Sequence, residues 1–431
     1  MRYDSIHKNF FNKNRKKLAG RLEVKSVAIV HSNDEMPRTG DQYFRYRQNS
    51  DLFYLSGIEQ EQTILLIYPD HPSPKLREVL FILQPNEKME TWFGHKFTKE
   101  EATEISGIPN IQYLDSFEAL LDEMLGHAEN IYFNSNDYPK FKPDVESRDL
   151  RWAQKIKNDY PAHNYKRLAP EITQLRLQKE PEEIDLMKKA CDITNKAFHR
   201  ILKYVKPGVH EYEVEAEMVH EFVMNKANGP AYAPIIASGE NALILHHIDN
   251  NRECKEGELL LMDFGAEYAN YAADCTRTIP VSGKFTPKQK DYYRAVLKVQ
   301  KEIQKHYVVG SSIERIGNEV LILMEKELLD LGLITKKEIE AAGSSKPLVM
   351  KYLVHGIAHF IGLDVHDVGN RFEEFRPGMV LTCEPGLYIK EENLGIRIEN
   401  DILITEDGPV NLMEEIPSDP DEIEKLMNNK Q

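Results

Sequence analysis

Two distant stretches of this chain place an acid where an apolar strand should run. "GELLLMDFGAEY" begins at Gly257 and "GMVLTCEPGLYI" at Gly378. In each, an apolar run follows the glycine. An acid stands six residues on (Asp263, Glu384), and a second glycine two beyond it (Gly265, Gly386). Another strand-like stretch with a second acid follows each: Asp274 in "YAADCTRTIPV" and Glu399 in "GIRIENDILIT". Upstream, "KPGVHEYEVEAEMVHEF" and "VVGSSIERIGNEVLILMEK" are also alike, each a glycine-led turn into an amphipathic helix. The pattern predicts two similar α/β halves, each presenting two carboxylates from a hairpin.

Buried carboxylates are rare unless they are paired or bind metal. Taken singly, each acid has an arginine available, Arg277 or Arg397. Taken together, face-to-face packing of the halves makes all four converge. Four like charges at one site either take up protons or bind cations. Two divalent cations cancel that charge. One neutral imidazole completes a carboxylate-rich site, and His359 is the candidate. Oxygen ligands with one nitrogen favour Mn²⁺, with Co²⁺ or Zn²⁺ as alternatives. Two such ions about 4 Å apart hold a bridging hydroxide that is nucleophilic at neutral pH. The expected chemistry is metal-assisted hydrolysis.

"HGIAHFIGLDVH", from His355 to His366, holds three of the chain's 15 histidines. Two histidines four apart suggest a zinc-protease helix, but that motif needs Glu after the first His, and Gly356 stands there. Gly356 and Gly362 also argue against a regular helix. Residues four apart share a face in helix and strand alike, so His355 and His359 are expected to point the same way.

The chain has 431 residues, too many for one ordinary core, so two domains are expected. Residues 1–174 alternate strand-like segments ("VKSVAIVHS", "TILLIYPD") with helix-like ones ("TKEEATEISG", "SFEALLDEMLGH"), an α/β pattern with Thr98 and Ser116 as expected caps. A boundary follows. Pro181 opens a helix with Glu182 and Glu183 in its first turn, and Ile184, Met187, Cys191, Thr194, Phe198, Ile201 and Val205 keep helical spacing. Residues 175–431 form the expected second domain. A hydrophobic fraction of 41% with 29% charged residues fits a soluble globular protein. The net charge of −15 opposes nonspecific binding to nucleic acid or anionic membrane. There is no apolar run of roughly 20 residues to span a bilayer. The N-terminus shows no signal peptide, and the four cysteines (Cys191, Cys254, Cys275, Cys383) are scattered, so a cytoplasmic protein with reduced thiols is expected.

Asp263, Asp274, His359, Glu384 and Glu399, in this order and setting, resemble the metal ligands of the pita-bread metallopeptidases. That family includes methionine aminopeptidase, aminopeptidase P and prolidase. The matching stretches are "MDFGAEYANYAADCTRT", "HGIAHFIGLDVHDVG", "TCEPGLY" and "GIRIEND". "FRYRQNSDLFYLSG", "ETWFGHKFTKEEA" and the junction "LRLQKEPEEI" look like aminopeptidase P, a likeness that covers most of the chain and is looser between about 105 and 165.

The resemblance implies a creatinase/prolidase-like α/β domain ahead of a pita-bread catalytic domain with pseudo-twofold halves. It implies that Asp263 chelates one metal, that Asp274 and Glu399 bridge two, and that His359 and Glu384 hold the other. Glu384 would also accept a proton from the bridging water. His246, in "ASGENALILHH", matches a histidine near the scissile bond. His355 and His366 match residues that line the substrate pocket, and Arg397 matches an arginine behind the ligands. His247 has no counterpart and is expected to be structural or exposed. The implied activity is removal of an N-terminal residue that precedes proline, with cleavage of Xaa-Pro dipeptides as the alternative. A metal-free binding or creatinase-like relative would have lost ligand residue types, and all five are present. The family likeness further implies a homodimer or homotetramer, in which Trp92 of one chain closes the peptide channel of another.

Overall fold

The computed structural model describes residues 2–135 and 145–429. It divides into two compact units, Asp4–Arg176 and Leu177–Gln431, the latter joined by Met1–Tyr3.

The Asp4–Arg176 unit is built on one six-stranded mixed sheet. Its central strand, Ser26–His31, is buried along its whole length and matches the expected "VKSVAIVHS". It pairs antiparallel with Ile64–Ile67 and parallel with Asn130–Phe133. Glu78–Ile82 and Ile111–Tyr113 extend one side, and Asn164–Arg167 the other. Apolar residues of the sheet and of helices Phe117–Leu125 and Arg148–Asp159 share one core that includes Val27, Ile29, Phe81, Phe117, Leu121 and Ile156. Thr98 caps helix Lys99–Ser106 through a reciprocal capping box with Glu101. Ser116 does not act as expected. The chain enters helix Phe117–Leu125 through a 3₁₀ turn at Leu114–Ser116, and the Ser116 hydroxyl donates back to the Tyr113 carbonyl at 2.8 Å.

The second unit repeats one sequence of elements. Helices Pro181–Tyr204 and Glu211–Met224 precede a first bent hairpin, and helices Pro287–Gln304 and Ile313–Asp330 precede a second. Pro181 takes the first helical position of its helix. The apolar stripe at Ile184, Met187, Cys191, Thr194, Phe198 and Ile201 is buried. In the first hairpin, Leu259–Phe264 pairs antiparallel with Cys275–Pro280, and Ala266–Tyr268 with Tyr271–Ala272. In the second, Val380–Cys383 pairs with Asn400–Thr405, and Gly386–Ile389 with Leu394–Arg397. Both hairpins are therefore interrupted once on each arm. Their facing arms are stitched together: Glu399 N–H donates to the Thr276 carbonyl at 3.1 Å, and Arg397 N–H to the Thr278 hydroxyl at 3.3 Å. Among the described residues, no helix is long and apolar enough to cross a membrane.

Candidate active site

The interruptions in the hairpins are where the acids sit. Asp263 is the penultimate residue of the strand Leu259–Phe264, and Gly265 follows at the break. A Cβ on Gly265 would lie 1.7 Å from the Ala273 carbonyl oxygen, so the two arms cross at backbone contact and only glycine fits. Asp274 stands on the opposite arm, just before Cys275–Pro280. In the second half Glu384 follows Val380–Cys383, Pro385 supplies no N–H to the ladder, and Glu399 precedes Asn400–Thr405.

The structure brings these acids together around His359. The Tyr232 hydroxyl lies 2.6 Å from Asp263 Oδ1 and 2.5 Å from Asp274 Oδ1. His359 Nε2 lies 3.4 Å from Asp274 Oδ2 and 3.7 Å from Glu384 Oε1. Ligand atoms of Asp274, His359 and Glu399 all fall within 4.8 Å of one another. His359 Nδ1 is 3.0 Å from the Phe360 carbonyl. A carbonyl only accepts, so Nδ1 carries the proton and Nε2 turns its lone pair to the acids. Burial pushes the carboxyls of Asp274 and Glu399 well above the usual range, and the nearest acids add to it, Asp263 for Asp274 and Asp274 for Glu399. Burial also raises Glu384, against the pull of His359 and Arg397. Converging carboxylates and one aimed imidazole nitrogen in a largely buried setting fit a divalent-cation site.

Among the described residues, direct arginine pairing reaches one of the four acids, Asp263. Arg397 Nη2 donates to Asp263 Oδ2 at 2.6 Å, with its other nitrogens on Thr276 Oγ1 and the Tyr388 hydroxyl. Arg277 is fully buried but gives its N–H groups to the carbonyls of Thr276, Glu399, Ile416 and Pro417 and to Asn400 Oδ1. It neutralises none of the four.

The remaining histidines have different environments. His355 and His359 do lie toward one site, although the segment is neither helix nor strand; His355 Nδ1 is 3.6 Å from Glu384 Oε2. Burial, then the nearby Arg397 charge, lowers the His355 pKa to about 4, so its ring is neutral near pH 7. The His366 ring stands edge-on to His359, centroids 4.3 Å apart. His246 is exposed in a turn, and its charge is among those acting on His355. His247 is buried and structural: its Nε2 is 3.1 Å from both Glu211 and Asn241.

Several site residues gave little sign of themselves in the sequence. Tyr388 lies 2.8 Å from His355 Nε2. Its one signal is spacing: an extended strand puts Glu384, Gly386 and Tyr388 on one face. The Thr276 hydroxyl donates to Glu399 Oε2 at 2.6 Å, and Asp401 accepts the Asp274 N–H at 3.2 Å. Tyr232 carried no signal.

This geometry has counterparts among known proteins. Residues 185–406 match the model of metallopeptidase family M24, and residues 11–132 that of the aminopeptidase P N-terminal domain. The Xaa-Pro aminopeptidase of Escherichia coli K12 is 35% identical over 438 residues, covering 98% of each chain. The solved proline aminopeptidase P II from Yersinia pestis matches with a TM-score of 0.88 at 33% identity, over 99% of this chain and 100% of that one. Zinc-substituted Escherichia coli aminopeptidase P in complex with product gives the same TM-score, identity and coverage. The chain belongs to metallopeptidase family M24, with an N-terminal domain of the aminopeptidase P type ahead of its peptidase core.

Proposed function

We propose that the protein removes the first residue from peptides with proline in second position. The observation that carries this reading is the convergence of Asp263, Asp274, Glu384 and Glu399 on His359. The full-length likeness to Xaa-Pro aminopeptidases supports the substrate class.

Asp263 would hold one cation, His359 and Glu384 the other, with Asp274 and Glu399 between them. Two divalent ions, Mn²⁺ by preference, would supply Lewis acidity and lower the pKa of water enough for attack at neutral pH. Glu384 would take the proton from the attacking water and hold it for the departing proline nitrogen. That nitrogen needs the proton, as at any peptide bond, because it leaves as an amine and not as a strongly basic amide anion. Neutral His355, fixed by Tyr388, borders Glu384 and lines the pocket. His246 and His366 would face the scissile bond and the intermediate, and the free amine of the first residue would bind near the cations.

The N-terminal unit would serve assembly and substrate access. Trp92 and Phe93, at the end of helix Glu87–Phe93, are 75% and 72% exposed, which suits contact with a neighbouring chain in a dimer or tetramer. Four buried free thiols suit a reducing, cytoplasmic setting.

Assay of a tripeptide with proline second beside the matching Xaa-Pro dipeptide tests the reading. The tripeptide should be cleaved after its first residue. Turnover of the dipeptide alone would make the protein a dipeptidase, and turnover of neither would overturn both readings.

A further inference from the structure

The junction motif "LRLQKEPEEI" has no part in the site as built so far. Its Lys179 is nevertheless one of the most enclosed charges in the second unit. Lys179 Nζ meets Asp367 Oδ2 at 3.0 Å, with each side chain only 1% exposed. A buried ion pair adds little net stability over an apolar pair, so its presence calls for a role in geometry.

That geometry leads to His366. Asp367 is its immediate neighbour, in a segment with no regular structure. Asp367 N–H donates to the Phe360 carbonyl at 2.8 Å, the same oxygen that His359 Nδ1 approaches. The Asp367 carboxylate, held by Lys179, fixes the other end of that residue. Lys179 is itself anchored by its N–H on the Gly378 carbonyl at 2.7 Å. The turn before His366 is clasped by the same pair. Ala272 N–H donates to the Gly362 carbonyl at 2.8 Å, and a Cβ on Gly362 would lie 2.4 Å from Asp367 Oδ2 and 2.7 Å from Lys179 Cε. The neighbouring Tyr271 hydroxyl donates at 2.9 Å to Glu183, a second buried member of the motif.

From this arrangement we infer that Lys179 and Asp367 are positioning residues that set the His366 ring edge-on to His359. They act through the main chain of residues 360–367 and touch neither substrate nor cation. The inference rests on the role proposed above for His366.

The test compares wild type, Lys179→Met/Asp367→Asn, His366→Ala and the triple variant on one tripeptide, with metal content by elemental analysis. Removing both charges avoids leaving either one buried alone. The double variant should keep its metal and its KM while kcat falls by about 10²-fold, the scale expected for a displacement of roughly 1 Å. The triple variant should be no slower than His366→Ala, because a ring that is absent cannot be misplaced. Wild-type kcat in the double variant would overturn the inference. So would a loss that multiplies onto that of His366→Ala, the mark of a merely structural pair. Should the double variant not fold, Gly362→Ala, which drives a methyl against the pair, enters the same comparison. Wild-type kcat in His366→Ala itself would overturn the proposed role of that histidine, an outcome distinct from failure of the anchor alone.

Discussion

Arg397 Nη1 donates to the Tyr388 hydroxyl at 2.7 Å. Arginine has no acceptor, so this bond fixes the direction of the chain behind it. The Tyr388 proton is left for His355 Nε2, 2.8 Å away, and His355 Nδ1–H goes to the Gly356 carbonyl at 2.7 Å. Tyr388→Phe should therefore leave metal content unchanged and free the His355 ring to turn. Activity should fall by up to about 10²-fold, the scale on which a misplaced group in an active site costs turnover. Elemental analysis beside steady-state kinetics decides it, and loss of metal in this variant would relocate Tyr388 to the ligand shell.

Removal of the cations should destabilise the protein. Burial holds the Glu399 carboxyl far above its usual range, and the charge of Asp274 adds to the strain. A ligand at a hundred times its Kd stabilises by about 2.7 kcal/mol, so a chelator should lower the Tm. Glu399→Gln should abolish activity, erase most of that metal dependence, and raise the Tm of the stripped protein by about 2 °C or more. Calorimetry with and without Mn²⁺ reads both effects. A stripped Glu399→Gln protein that melts below stripped wild type would contradict the picture of mutual repulsion.

A second buried acid makes a prediction away from the cations. Burial raises the Glu183 carboxyl to about 7, opposed by the Glu180 N–H and by Lys179. The folded chain thus binds this proton more tightly than the unfolded chain, whose pKa stays near 4.5. Its contribution is greatest below about pH 4.5 and is lost as pH rises to about 7, at about 1.4 kcal/mol per pKa unit. Glu183→Gln lacks this term. The stability of wild type relative to Glu183→Gln, from urea unfolding, should fall between pH 5 and pH 8. A flat difference would show that Glu183 is already ionised in the folded protein.

Assembly supplies the fourth expectation. Trp92→Ala should weaken turnover of longer peptides more than that of short ones, with metal content unchanged. Light scattering beside kinetics checks it. A fully active monomer at assay concentration would remove any role for a neighbouring chain.

The acids were legible in the sequence because they break a rule that apolar runs otherwise obey. Nothing but a paired or ligated site explains Asp263 inside "LLLMDFG", and its echo at Glu384 gave the second half. Thr98 was legible for a local reason, the Glu three residues on. Ser116 looked the same but lacks that partner, and a preceding 3₁₀ turn claimed its hydroxyl. What stayed hidden depends on contacts far apart in the chain. Tyr232 reaches the acids from an irregular segment, and Asp367 meets Lys179 across 188 positions. No periodicity records either meeting.

The paired hairpins also say something about how the molecule holds together when it is hot or diluted in chelator. A chain cut within residues 281–286 would leave two of the four acids on each piece. On the proposed two-cation reading neither piece would hold the pair, since each would own one side of a clasp. The ions would then act as rivets between the two halves, and loss of metal would loosen the joint along Thr276–Thr278 and Arg397–Glu399. Catalytic competence and cohesion of the second unit would be lost in one event, not two.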